Sequence, residues 1–155
     1  MAKNKKQIVS LRLDKPDMNR IKEIAARVHS KEADVYRFAL RLGLARLAPL
    51  HDNRARGSEL IPVFAEYGSE LTSSFNLDSK RLEQLFNDGV IEKAGLVSEE
   101  DLELIALSAT PETYLYSRLR SLLGRSVTRG NALELLCEYL LNKYTFVDED
   151  DTAES

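Results

Sequence analysis

The stretch QIVSLRLD, residues 7–14, alternates apolar and polar side chains and runs directly into two helical patterns. Successive side chains of an extended chain point to opposite faces, so the alternation predicts a short β-strand with two different faces. One face is apolar and is expected to pack inward, and the other is expected to point outward: Val9, Leu11 and Leu13 on the first, Ile8, Ser10 and Arg12 on the second.

A strand this short needs a partner for its backbone hydrogen bonds. If a second copy of the same strand is that partner, the pair forms a two-stranded ribbon, which is narrow enough to enter the major groove of DNA. Such a ribbon would present Ser10 and Arg12 to base edges, and arginine is the commonest side chain in bidentate contacts to guanine. Ile8 cannot hydrogen-bond a base and is expected at most to contact a thymine methyl group.

Two helices are predicted after the strand. Pro16 is tolerated in a first turn, and the apolar residues after it recur at helical spacing, which predicts a helix over residues 16–28. Ser30 is a favourable N-cap and predicts a second helix over residues 31–47. This second helix is apolar on more than one side. Because a unit of about 50 residues cannot bury both sides internally, we expect an obligate homodimer, with a higher oligomer on DNA as a further alternative.

The order of strand, helix, serine-bearing turn and helix resembles the ribbon-helix-helix (Arc/MetJ-type) family of DNA-binding proteins. The resemblance covers about residues 6–47 and depends on the motifs IVSLRLD (8–14) and SKEADVYRFAL (30–40). It implies that the outward strand residues read bases and that the start of the second helix anchors a phosphate. The base-reading set is then Ile8, Ser10 and Arg12, and the phosphate site falls on Ser30 and Lys31. Free N–H groups and the helix dipole independently favour an anion at such a helix start.

Charge is distributed unevenly along the chain. Residues 1–50 carry 12 Lys and Arg against 5 Asp and Glu, whereas residues 51–155 carry 10 against 20. A basic first third on an acidic remainder suggests that the first third faces a polyanion. Lys5 and Lys6 are accordingly predicted to bind DNA phosphates, with a merely solubilising tail as the alternative.

The sequence divides into four parts. We predict a mainly α fold in which a ribbon-helix-helix DNA-binding and dimerisation domain (1–48) is joined by a polar linker (49–57) to an all-α domain (58–146). Residues 147–155 form an acidic tail. The all-α domain is expected to serve association or to bind a protein partner.

Residues 102–144 allow two interpretations. They repeat the order strand, helix, serine-bearing turn and helix, with Pro111 and Ser126 placed as Pro16 and Ser30 are, which would make a second, diverged ribbon-helix-helix unit. However, the segment SEED at 98–101 is typical of a helix N-terminus, and the supposed strand has no base-reading residue. A plain helix over residues 99–107 is the favoured interpretation.

Several functional classes are not expected from this sequence. It has no glycine-rich phosphate loop and no nucleophile motif, so we expect no enzyme activity and no cofactor. His29 and His51 lack ligand spacing with each other or with Cys137, which predicts no metal site and leaves Cys137 as a buried core thiol. No apolar run approaches about 18 residues, so a cytoplasmic protein without membrane contact is the expectation.

Three functions remain open at this level. The first is a sequence-specific transcriptional regulator, acting as a repressor on double-stranded DNA. The second is a relaxosome or DNA-architectural accessory protein of a mobile element, a role in which tandem ribbon-helix-helix units occur. The third is an antitoxin with a toxin-binding C-terminal region, which ranks last because such regions are extended and disordered before binding, whereas residues 58–146 are apolar and helical in pattern.

Overall fold

A computed structural model describes residues 5–110, 113–124, 127–128 and 130–145 of the chain. Within this described part the protein is mainly helical, which confirms the predicted mainly α class. The α-helices are α1 (Lys15–Arg27), α2 (Glu32–Arg46), α3 (Ala48–His51), α4 (Ile61–Phe75), α5 (Ser79–Asn87), α6 (Glu99–Leu107), α7 (Thr113–Leu123) and α8 (Ala132–Tyr144), with 3-10 turns at Gly57–Leu60 and Lys93–Gly95. None of these helices is long and apolar enough to cross a membrane.

The predicted strand over residues 7–14 is not seen in the single chain. Residues 5–14 have no regular secondary structure, and the described residues contain no β-strand. The physical reason is that a strand needs a neighbouring strand to accept and donate its backbone hydrogen bonds, and the described part of the chain supplies no second strand. A ribbon built from two chains therefore remains a prediction.

Two compact units make up the chain, Met1–Ala45 and Arg46–Ser155. The segment 49–57, predicted to be a polar linker, lies in the second unit, and Leu50 and Ala55 pack against the core of that unit. Gly57 is buried at the end of this segment with φ +55°, and a Cβ there would lie 1.9 Å from the carbonyl oxygen of Gly95. Only glycine fits this position without moving the backbone.

Helices α1 and α2 of the first unit are joined by a turn at His29. His29 has φ +53°, the N–H of Ser30 donates to the carbonyl of Ala25 at 3.0 Å, and the N–H of His29 donates to Ala26 at 3.3 Å. These two bonds form the Schellman motif that commonly ends helices, in which glycine usually occupies the left-handed position. Here histidine, one of the side chains that tolerate that region better than most, takes the place of the glycine.

The second unit contains the main hydrophobic core. Helix α4 packs against α8 and α6, and α5 packs against α6. The rings of Phe64 in α4 and Phe86 in α5 lie 4.9 Å apart between centroids, in a tilted arrangement. Around them the core contains mainly leucine and isoleucine, including Leu60, Ile61, Leu82, Leu102, Leu104, Ile105, Leu115, Leu119 and Leu140. This packing gives the unit a single core of its own.

Side-chain caps begin two helices of the second unit, and the one at Ser98 lies where the sequence predicts a helix start. The Asp78 carboxylate accepts from the N–H of Arg81 at 2.8 Å, and Ser98 Oγ accepts from the N–H of Asp101 at 3.3 Å. The helix predicted over residues 99–107 is therefore confirmed as α6. The alternative of a second ribbon-helix-helix unit over 102–144 is wrong, because its supposed strand is helical; Pro111 and Ser126 lie outside the described residues.

A buried carboxylate joins α6 to α8. Asp101 is fully buried and accepts hydrogen bonds from Tyr139 Oη at 2.8 Å, from Lys143 Nζ at 2.7 Å and from the hydroxyl of Tyr144. Burial by itself would raise the pKa of Asp101, but the hydrogen bonds from Lys143, Tyr144 and Ser98 outweigh it and lower the pKa. Asp101 is therefore held as a charged carboxylate inside the unit.

Candidate nucleic-acid interface

The N-terminal segment exposes its apolar side chains to a degree unusual for a folded protein. Ile8 is 98% exposed, Val9 76%, Leu11 62% and Leu13 37%. Isolated exposed apolar residues are ordinary, but four within six residues are a concentration that a folded surface rarely leaves uncovered. The set predicted to pack inward, Val9, Leu11 and Leu13, is thus not covered within the single chain.

The predicted base-reading side chains Ser10 and Arg12 are also exposed. Neither makes a hydrogen bond or an ion pair with another described residue, so both have their full hydrogen-bonding capacity available. Two other arginines of the same unit, unlike Arg27 and Arg41, are engaged: Arg20 pairs with Asp17 at 3.5 Å, and Arg37 with Asp34 at 3.1 Å. Arg12 is therefore available to a ligand in a way that these helical arginines are not.

The start of α2 differs by one residue from the prediction. Lys31, rather than Ser30, precedes the helix, because the N–H groups of Asp34 and Val35 both donate to the carbonyl of Lys31. Ser30 Oγ donates to the same carbonyl at 3.3 Å and caps no N–H group. The Ser30 side chain is consequently not the N-cap acceptor that the sequence predicted.

Lys31 is nevertheless well placed for an anion. Its side chain is exposed at the first residue before α2, where the initial backbone N–H groups have no acceptor within the helix. Glu32 and Asp34 occupy the first turn and reduce the positive potential there, although Asp34 is paired with Arg37. The site therefore depends on the lysine charge as well as on the helix end.

The remaining predicted phosphate contacts, Lys5 and Lys6, are exposed in the irregular segment before the apolar residues. They make no ion pair with any described residue. The structure thus places all seven predicted DNA-contacting residues on the surface of the first unit, but no hydrogen bond or ion pair connects the N-terminal group (5–12) with the pair at 30–31.

The sequence matches no protein-family model, and no match was found among curated proteins or among solved structures. What the first unit binds is accordingly inferred from its own residues. Among the described residues, no group of three or more His, Cys, Asp and Glu side chains is placed to hold a metal ion.

One feature of this surface was not predicted from the sequence. His29 adopts the left-handed conformation directly before Ser30 and Lys31, and so determines how α2 leaves α1. The available signal was the end of the apolar periodicity at Val28 followed by a residue type that tolerates positive φ. The lack of a glycine in the turn concealed it, because glycine is the usual marker of this conformation.

Proposed function

We propose that the protein is a sequence-specific DNA-binding regulator of transcription, a repressor, that acts as a homodimer. Two N-terminal segments, one from each chain, pair as a ribbon and enter the major groove. The observation that supports this most directly is the exposed alternating segment 7–14, in which an uncovered apolar face lies opposite an unpaired Arg12. Pairing with a second copy would bury the first face and leave the second for bases.

Exposed apolar surface on α2 supports association with a second copy. Phe38 is 67% and Leu44 69% exposed, while Ala25 and Val35 are the only buried residues in the described part of this unit. Burying one large apolar side chain stabilises an assembly by about 1.5–3 kcal/mol. Several such residues on both the segment and α2 can therefore supply the free energy of an obligate dimer.

The charge of the first third supports a polyanionic ligand. Twelve Lys and Arg against five Asp and Glu in residues 1–50 give a net charge of +7, whereas the rest of the chain is acidic. Each lysine or arginine that neutralises a phosphate releases condensed counterions, which makes DNA affinity strong and salt-dependent. A dimer doubles this charge on the proposed contact surface.

The packed second unit favours a regulator over an antitoxin. An antitoxin's partner-binding region is expected to stay extended until its partner orders it. In this chain α4, α5, α6 and α8 already share a buried core. A folded association or partner-binding unit agrees better with a regulator.

The test begins with selection of bound duplexes from a random pool by the full chain, and sedimentation of the protein alone and with the selected duplex. We expect a dimer and an inverted-repeat motif. Arg12→Ala should weaken the binding free energy for the selected DNA site by about 1–3 kcal/mol. It should also relax the base preference at one position of that site. Arg20→Ala, which removes an arginine already paired with Asp17, is the matched control and should change affinity less. Unchanged affinity of Arg12→Ala for the best-bound duplex would refute base reading by this segment.

A further inference from the structure

A cavity in the second unit has the composition of a small-ligand site. It is open to solvent on one side and has a volume of about 300 Å³ between α4, the end of α6 and α8. Its walls are mainly apolar and include Phe64, Ile105 and Leu136, all buried, whereas Leu133 at its edge is about half exposed. A volume of this size lies at the small end of the range for sites that bind organic molecules.

Gly68 lines the cavity on the α4 side and, because it has no side chain, leaves that side open. A Cβ at Gly68 would meet a single atom, Cγ2 of Ile105, at 4.0 Å. An alanine would therefore fit here without a clash, and alanine is the better helix former by about 1 kcal/mol. The packing of α4 therefore does not require glycine at position 68. The missing side chain leaves open space next to Ile105.

Carboxylates surround the cavity without a cationic partner. Glu66, Glu70 and Glu134 line it and are exposed, and no described Lys or Arg forms an ion pair with any of them. Glu70 accepts only from Ser69 Oγ, at 3.1 Å. Three negative charges at the mouth of an apolar cavity complement a positive charge on whatever enters it.

The thiol of Cys137 lies at the same cavity and is affected by the negative charges around it. Cys137 lines the cavity and is only partly buried, so it is not the buried core thiol expected from the sequence. Burial raises the pKa of Cys137, and the negative charges of Glu66, Glu138 and Glu134 raise it further. Cys137 therefore remains a neutral thiol, and the electrostatic field that disfavours its thiolate favours a cation.

We propose that this cavity binds a small hydrophobic cation, a protonated alkyl- or arylamine whose apolar body lies against Phe64, Ile105 and Leu136. The ammonium group points outward to Glu66, Glu70 and Glu134. This function is separate from DNA binding by the first unit and does not depend on it.

The test titrates the full-length chain with three probes of equal size and different charge: benzylamine, benzyl alcohol and benzoate. Binding is followed by amide chemical shifts in NMR. We expect benzylamine to bind more tightly than benzyl alcohol, benzoate not to bind, and the largest shifts to fall on Gly68, Ile105 and Cys137. Equal affinities of the amine and the alcohol, no binding of either, or shifts away from these residues would overturn the proposal.

Two kinds of variant distinguish the contribution of the carboxylate charges to ligand binding from that of the cavity's shape. Glu66→Gln and Glu134→Gln should each weaken benzylamine by about two- to fivefold and leave benzyl alcohol unchanged. Glu83→Gln, on the exposed surface of α5 and outside the cavity, is the matched control and should change neither. Gly68→Leu should abolish binding of both probes by filling the cavity. If that variant does not fold, the glutamate variants decide, and an unchanged amine affinity in both contradicts the proposal.

Discussion

Lys143 Nζ in α8 donates a 2.7 Å hydrogen bond to the buried carboxylate of Asp101, at the start of α6 and 42 residues earlier in the chain. Because a buried charge is costly unless it is paired and hydrogen-bonded, this contact is what allows a carboxylate to lie inside the second unit. The burial of Lys143 would lower its pKa, but the hydrogen bond from its ammonium group to Asp101 raises the pKa overall. Lys143 thus stays protonated beside Asp101.

This pair makes the second unit sensitive to acid. The pKa of Asp101 is lowered in the folded state, from the ordinary value of 3.8. Its contribution to stability is therefore fully present above about pH 4 and is lost as the pH falls through the folded-state pKa. Urea unfolding between pH 7 and pH 3 should show this loss in the natural chain.

Asp101→Asn should be less stable at pH 7 by about 1–3 kcal/mol, because its charged hydrogen bond with Lys143, whose side chain is still reached by water, is lost. Its unfolding free energy should also fall less steeply toward acid pH. Glu83→Gln, an exposed carboxylate on α5, is the control and should keep the acid dependence of the natural chain. Identical pH profiles for Asp101→Asn and the natural chain would contradict this role of Asp101.

The turn between α1 and α2 should become more stable with glycine. His29→Gly removes the cost of a left-handed side-chain residue, about 1–2 kcal/mol, while keeping both hydrogen bonds of the Schellman motif. Amide hydrogen exchange of α1 and α2 at fixed protein concentration measures the effect. His29→Ala keeps a Cβ at the same φ and should give no such gain; equal protection in the two variants would argue against strain at this residue.

The packing of residues 49–57 against the second unit depends on Gly57. Gly57→Ala places a Cβ 1.9 Å from the carbonyl oxygen of Gly95 at positive φ, and should lower the unfolding free energy by at least about 2 kcal/mol. Gly68→Ala in α4 of the same unit is the control. It meets only an ordinary contact at 4.0 Å and should raise stability by about 0.5–1 kcal/mol. Thermal unfolding of the two variants should therefore shift in opposite directions.

If Lys31 at the start of α2 binds a DNA phosphate, removing its side chain should lower DNA affinity by an amount that does not depend on the DNA sequence. Lys31→Ala should weaken binding to cognate and random duplexes alike, and should reduce the slope of log affinity against log salt by about one unit. Lys22→Ala removes an equally exposed lysine from α1 and serves as the control. A sequence-dependent loss in Lys31→Ala would show that this residue reads bases instead.

Much of the helical architecture could be predicted because it depends on residues close together in the chain. Ser98 begins α6 as expected, since a cap needs only an acceptor and an N–H group three residues later. The one-residue shift at α2 has a similarly local cause, because Ser30 binds the carbonyl of Lys31 instead of a helical N–H. The left-handed turn at His29 was missed because no glycine marks it.

For residues 7–14, the sequence of one chain predicts the two faces but does not decide whether a strand forms. Their alternation determines two faces by itself, because it follows from backbone geometry. Whether those faces become a strand depends on hydrogen bonds from a second extended segment, and the described residues of one chain do not provide one.

The sequence by itself predicted α1 and α2 to within one residue at each end, α6, the charge difference between the two ends of the chain, and the candidates Ser10 and Arg12. Only the tertiary structure brought Asp101 to Lys143, packed residues 49–57 against the second unit, and opened the carboxylate-lined cavity beside Gly68. Capping and periodicity act over about four residues, and charge is a property of composition, so both can be read along the chain. Contacts between side chains some 40 residues apart depend on how α4, α6 and α8 pack, and this packing exists only once the chain has folded.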